Sequence, residues 1–332
     1  MHARWASARR GISLVKSLPW PEKAIDPATR CHSLPPMTLS RYAPMIDAAR
    51  RRPALWRLGL GLGTVFSVMA LWVAAMIALR ARITGARFVD AGADLVALGA
   101  TRPGQAVLYL MIVAGLGLGT FAAAGVWHRR SPRSLIGPGA RTLRQATIAA
   151  AVTFGVLGVL SLATLPLSDW PLRNQPLTTW LAWLPLGILA LIFQTGAEEI
   201  LFRGYLQSQL AARFRNISVA IVVPSILFGF AHYVPVFPTL AALTYVLIAA
   251  LFGVLAADLT IRTGSIGAAW GFHFANNALA VLVVAPSGSI TGLALWRTAE
   301  EFGPESFTSP LVTIEVLVLL ASWALIRRAL RV

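Results

Sequence analysis

The sequence predicts an all-α fold, a polytopic membrane bundle of about eight transmembrane helices, and three observations carry that prediction. Hydrophobic residues make up 57% of the chain and charged residues only 13%, where a soluble domain carries about a quarter. Mean hydropathy is +0.68. Apolar runs of about twenty residues, long enough to cross a hydrocarbon layer, recur through the chain beyond residue 50.

Taken in order, residues 1–50 are polar, proline-rich and studded with arginine. They have no apolar stretch followed by a small-residue cleavage site, so they read as a disordered basic tail and not as a signal peptide. Met37, just before Thr38-Leu39-Ser40-Arg41, is a second candidate start, which leaves open whether residues 1–36 belong to the native protein. Residues 56–165 are expected to hold three spans, at 56–79, 106–127 and 146–165. Residues 180–285 hold four more, at 180–203, 217–234, 240–257 and 265–285, the first of them continuing as helix to about Ala212. An outer loop and a last span at 311–326 complete residues 286–332.

The net charge of +16 lies in the tail and in the loops between spans. No basic helix with interleaved aromatics appears, so nucleic acid is not an expected partner; the bilayer and a protein or peptide are. Arginines gather on alternate loops: Arg50, Arg51, Arg52 and Arg57; Arg129, Arg130, Arg133, Arg141 and Arg144; Arg213 and Arg215; Arg262; and Arg327, Arg328 and Arg331. The positive-inside rule then places both termini in the cytoplasm. Arg80, Arg82, Arg87 and Arg102 dissent from this pattern, falling on the outer side. Only Lys16 and Lys23 among the 29 basic residues are lysine, a bias that points to a GC-rich genome and hence a bacterial inner membrane. The single Cys31 rules out an intrachain disulfide and a cysteine metal cluster.

Small residues four apart, Gly59/Gly63, Gly115/Gly119 and Gly267/Gly271, mark expected close helix contacts. His128 is expected at the interface, Asp258 is expected to pair with Arg262, and Glu300–Glu305 to form a solvated outer loop.

The chemistry lies in three polar groups within apolar segments: Glu198-Glu199 with Arg203, His232 after Phe228, and His273 with Asn277. Glu198 stands 16 residues before Phe214, and His232 stands 16 residues after Asn216. At 1.5 Å per residue an antiparallel hairpin puts both roughly 24 Å from its turn, at one depth. Glu199 and Arg203 are i,i+4 with the carboxylate first, the favourable order for an ion pair. Glu198, about 100° round the helix, is free to point elsewhere. Gln194, one turn earlier, is a supporting candidate.

Two chemistries fit these residue types. A carboxylate can take a proton from water while imidazole and carboxamide groups steady an amide carbonyl as it gains charge. Alternatively, Glu199, His232 and His273 supply the two-histidine, one-carboxylate set of a catalytic divalent metal such as zinc. The sequence is equally compatible with metal and with none. Taken singly, each group has a plainer explanation, an interfacial salt bridge or a hydrogen bond between helices. Their conjunction on three separate spans is what points to chemistry.

At these residues the sequence resembles the CAAX protease and bacteriocin-processing (CPBP, or Abi) family of intramembrane proteases. That family's pattern is Glu-Glu-x-x-x-Arg, then Phe-x-x-x-His, then His-x-x-x-Asn, on successive helices of an eight-helix bundle. The resemblance covers roughly residues 180–285. It implies an endopeptidase in which Glu198 is the base for the attacking water, His232 helps activate that water, and His273 with Asn277 stabilises the oxyanion. Glu199 and Arg203 complete the implied site. The rival is a non-proteolytic membrane protein, either an immunity or scaffold factor or a proton-coupled transporter. Transport is disfavoured because all the polar motifs lie in one half of the chain, with no internal repeat.

Overall fold

A computed structural model describes residues 36–96, 100–164, 170–214, 216–307 and 311–332. The greater part of the expected tail, residues 1–35 with His2, Lys16, Lys23, Cys31 and His32, lies outside these, as do Asp169 and Arg215.

Helices stand at all eight expected positions. They are α2 (Leu55–Thr84), α4 (Pro103–His128), α6 (Gly139–Thr164), α7 (Leu177–Glu199), α9 (Ile217–Phe230), α10 (Thr239–Thr263), α11 (Gly267–Ala278) and α12 (Leu311–Leu330). Between them lie the shorter α1 (Pro36–Arg50), α3 (Phe88–Val96), α5 (Arg133–Ile136) and α8 (Ser208–Arg213). The segment from α7 to α8 is continuous through a π-helical stretch, Ile200–Gln207. Among the described residues five helical segments are long and apolar enough to cross a membrane: Leu55–Thr84, Pro103–His128, Arg133–Ala163, Leu177–Arg213 and Thr239–Thr263. The chain is therefore an all-α polytopic membrane bundle.

Four expectations need correction. The last part of the expected disordered tail is helix α1, which buries Tyr42 and Met45 against α8 and α10. The polar tail to which it was assigned hides a docking face, since Tyr42, Met45, Ile46 and Ala49 recur at helical spacing. His128, expected at the interface, ends a candidate span but is packed inside the bundle, 1% exposed, with Nδ1 3.0 Å from the Arg52 carbonyl and its ring edge-on to Tyr205. Beside it, Arg130 is buried with no acidic partner among the described residues, donating to Ser134, Ser208 and Gln209. Burial lowers its pKa from the ordinary guanidinium range to about 10. The third correction concerns Gly59 and Gly63, which have nothing within reach; Gly61 is the glycine on that helix that packs, against Tyr205.

The fourth concerns the acidic outer segment, which is tied down. Strands β1 (Leu172–Arg173), β2 (Val284–Ser287) and β3 (Trp296–Glu301) form a small sheet in the order β1-β3-β2. Leu172 pairs antiparallel with Arg297, and Val284 pairs in parallel with Trp296. After β3, Phe302 and Phe307 close onto Phe237 and Tyr245, whose ring stacks on Phe307 at 4.7 Å. Apolar side chains thus anchor a segment whose charges suggested solvent alone.

Other expectations hold. Arg262 donates to Asp258 at 2.7 Å, and the Trp323 indole adds a second donor to that carboxylate at 2.9 Å. Two of the arginines that dissent from the charge pattern are neutralised locally: Arg80 pairs with Asp94 and Arg87 with Asp90. Gly115 and Gly119 face Trp72 and Val65 across the α2–α4 contact. Gly267 and Gly271 lie against the backbone of α6 at Thr142 and Ala146, where any Cβ would collide. That close approach fixes α11, and with it His273.

Candidate active site

The site is built where α7, its π-helical continuation, α9, α10 and α11 meet. Glu198 and Glu199 end α7, and the wider π turn starts at the next residue. Such π segments are rare and gather at functional sites. A second, Leu279–Val283, begins two residues after Asn277.

Glu199 is fully buried and its Oε1 has two donors: Arg203 Nη1 at 3.1 Å and His273 Nδ1 at 2.8 Å. The expected i,i+4 ion pair is present. Arg203, 1% exposed, is itself held by the Gly253 carbonyl at 3.4 Å and by the Phe228 ring, 4.6 Å from the guanidinium. Phe202 and Phe252 flank it more distantly. A cation taken out of water here has a carboxylate, a carbonyl and aromatic faces as compensation. One turn on, Gln207 donates to the Ala257 carbonyl at 3.1 Å. Arg203 and Gln207 therefore grip two carbonyls one turn apart on α10 and set its register against the helix that carries Glu198 and Glu199.

Glu198 does not point elsewhere, as the 100° offset suggested. His273 lies between the two carboxylates, with Nδ1 on Glu199 and Nε2 3.8 Å from Glu198 Oε2. Glu198 Oε1 accepts from Gln194 Nε2 at 2.6 Å, and Gln194 Oε1 accepts from Asn277 Nδ2 at 3.2 Å. Gln194 is thus the bridge between the glutamate and asparagine motifs. Glu198 Oε2 is buried and makes no hydrogen bond.

His232 stands just past the end of α9, in a turn closed by its own N–H to the Gly229 carbonyl at 2.9 Å. The helix is shorter than the expected 217–234. Its Nδ1 lies 2.8 Å from the Phe228 carbonyl, so Nδ1 carries the proton and Nε2 is the working nitrogen. Close packing of Gly229 on Val246 and Ala250, and of Gly253 on Ser225, brings α9 against α10 and sets this position. No hydrogen bond or ion pair joins His232 to either carboxylate among the described residues. It reaches them through rings: Phe228 touches both His232 and His273, at 4.7 and 5.8 Å between centroids.

The structure brings five of the six candidates together as two hydrogen-bonded sets, Arg203–Glu199–His273 and Glu198–Gln194–Asn277, that meet at the 3.8 Å approach of His273 to Glu198, and it sets His232 beside them. Among the described residues no three His, Cys, Asp or Glu side chains are grouped as metal ligands. Within the set Glu199, His232 and His273, Glu199 Oε1 is occupied by two donors, one of them the Arg203 cation, and His273 Nδ1 is turned to that same oxygen, while Glu199 Oε2 is buried without a hydrogen bond.

Sequence reasoning missed Tyr245 and Phe252. Tyr245 lies edge-on to His232 at 5.8 Å, and Phe252 packs on His273 at 5.0 Å. Tyr245, a hydroxyl-bearing ring within an apolar run, was the available signal; Phe252 gave none. Trp270 also escaped notice: its indole N–H donates to Thr195 Oγ1 at 3.1 Å, locking α11 to α7 one turn from the site.

Residues 178–279 match the family model described as type II CAAX prenyl endopeptidase, Rce1-like. All six candidate residues fall inside the match, which is consistent with a protease of the CPBP family. No curated protein and no solved structure matches.

Proposed function

Taking the Rce1-like match of residues 178–279 as premise, we propose that the protein is an intramembrane endopeptidase that hydrolyses a peptide bond in a membrane-associated protein or peptide by water attack. The observation that carries this reading is the placement of His273. With Nδ1–H given to Glu199, the neutral ring offers the Nε2 lone pair toward Glu198 Oε2, 3.8 Å away. One water held by both would give a hydrogen to each acceptor and keep a lone pair for the scissile carbonyl.

Glu198 is the proposed base. Glu199 acts as the carboxylate of a catalytic triad does, fixing the imidazole tautomer and stabilising the imidazolium as it forms. Arg203 pairs with Glu199 and holds it aimed at His273. Asn277, holding Gln194 with one amide hydrogen, retains another for the developing oxyanion. His232 Nε2, on the far side of Phe228, is the proposed proton carrier toward the leaving amine. The assignment differs from the one the resemblance implies, in that His273 and not His232 is paired with the base. This reading needs no metal, because Glu198 and the two histidines themselves supply the proton acceptors.

The test is cleavage of a panel of membrane-tethered and extended fluorogenic peptides by purified protein in detergent. Wild type, His273→Ala and His232→Ala are compared, each with and without a chelator. The reading expects turnover by wild type that resists chelation and a larger loss in His273→Ala than in His232→Ala. Chelator-sensitive turnover restored by zinc would replace it with the metal mechanism. A cellular phenotype that survives His273→Ala, with no cleavage by wild type, would favour a scaffold.

A further inference from the structure

A cleft of about 560 Å³ opens at the arginine-rich end of the bundle, lined among others by Arg41, Arg141, Arg144, Gln145, Thr263 and Arg331. Four separate elements build it. Arg41 comes from α1, Arg141 and Arg144 from the first two turns of α6, Thr263 from the last residue of α10, and Arg331 from just beyond α12. None of the four arginines makes an ion pair among the described residues. The side-chain carboxylates of these helices are engaged or remote: Asp47 pairs with Arg50 and Asp258 with Arg262, and α6 has no acidic residue. Val332, the last residue, also lines the cleft, and its carbonyl oxygen accepts from Arg327 Nε at 3.4 Å. Glu315 precedes the end of α12 by 15 residues, about 22 Å along a helix.

The floor of this cleft is constructed. Gln145 accepts from Ser265 and donates to the Thr263 carbonyl at 3.3 Å, tying α6 to the α10–α11 turn. Gly264, at φ +73, packs on the Arg41 backbone, and Arg41 Nη1 reaches the Arg262 carbonyl at 3.5 Å. The N-terminus of α6, a helix of 26 residues, adds its positive end and the amide N–H groups of its first turn. Four guanidinium groups that repel one another are thus held around one space.

We propose that this cleft is a binding site for a phosphate anion. Guanidinium forks match phosphate oxygens bidentately, and the helix ends that carry them stand where apolar spans give way to the polar interface. Basic pockets between transmembrane helices at that level suit anionic lipid headgroups. The same chemistry would take a free phosphate. The site is independent of the hydrolase reading and lies outside the catalytic group.

The full chain, delipidated in detergent, is titrated with phosphatidylglycerol and phosphatidylcholine by native mass spectrometry, and with inorganic phosphate by calorimetry. Arg141→Gln/Arg144→Gln alters two exposed side chains, and Arg82→Gln, exposed at the other end, is the control. An arginine near an anionic headgroup is worth about 1 kcal/mol. The double variant should therefore weaken phosphatidylglycerol binding about thirtyfold, by the conversion of about 1.4 kcal/mol per tenfold. The control should leave binding unchanged, and phosphatidylcholine should bind far more weakly. Loss confined to the lipid identifies the headgroup as the ligand; parallel loss for inorganic phosphate identifies the free anion. Should the double variant melt early, Arg331→Gln replaces it. Wild-type affinity for both anions in these variants, or no preference for phosphatidylglycerol, overturns the proposal.

Discussion

Replacing Glu198 by glutamine separates chemistry from structure. The Gln194 Nε2 donor 2.6 Å from Oε1 would remain bonded, now to a neutral acceptor. The difference between a charge-assisted and a neutral bond is about 1 kcal/mol. Removing one of two neighbouring carboxylates around His273 relieves like-charge repulsion and offsets part of that loss. Stability should change by no more than about 1 kcal/mol, or about 2–4 °C on the scale of a 150–250-residue domain. Catalysis should respond very differently, since a positioned proton acceptor is worth roughly a hundred- to ten-thousandfold. That is about 3–5 kcal/mol of transition-state stabilisation. The assay is the initial rate of peptide cleavage, with thermal melting on the same preparation. Turnover within about tenfold of wild type would remove Glu198 as the base. A rate loss matched by a collapse in melting temperature would make the residue structural.

The remaining predictions concern the frame. Glu199→Gln leaves Arg203 buried without its carboxylate and frees the His273 tautomer; about 3–5 kcal/mol of stability should go with the turnover, read by melting and rates together. Arg203→Lys keeps the charge and should lose the simultaneous reach to Glu199 and the Gly253 carbonyl; turnover should fall by about tenfold or more, measured with Glu199→Gln in a double-mutant cycle that shows coupling. Gly271→Ala drives a methyl into the α6 backbone at Ala146 and should cost about 1–3 kcal/mol or more, with reduced turnover as α11 shifts. Trp270→Phe deletes the bond to Thr195 and should cost about 1 kcal/mol in melting, with a smaller effect on turnover than Gly271→Ala.

Periodicity and composition determined the membrane class and the places of the helices, because burial in a hydrocarbon solvent writes itself into long apolar runs. The three polar motifs were legible for the same reason: a charge or imidazole in such a run stands out against its background. Helix α1 and the anchored acidic segment were not legible, because the polar, arginine-studded stretch before α1 and the glutamates of 300–305 masked the apolar side chains that do the docking. Only the tertiary structure decided how the motifs meet. Sequence spacing fixes angles within one helix, so it could join Glu199 to Arg203. It could not show that α11, drawn against α6 by Gly267 and Gly271, sets His273 between both glutamates while His232 stays beyond Phe228. Contacts between helices depend on packing distances that no single helix encodes.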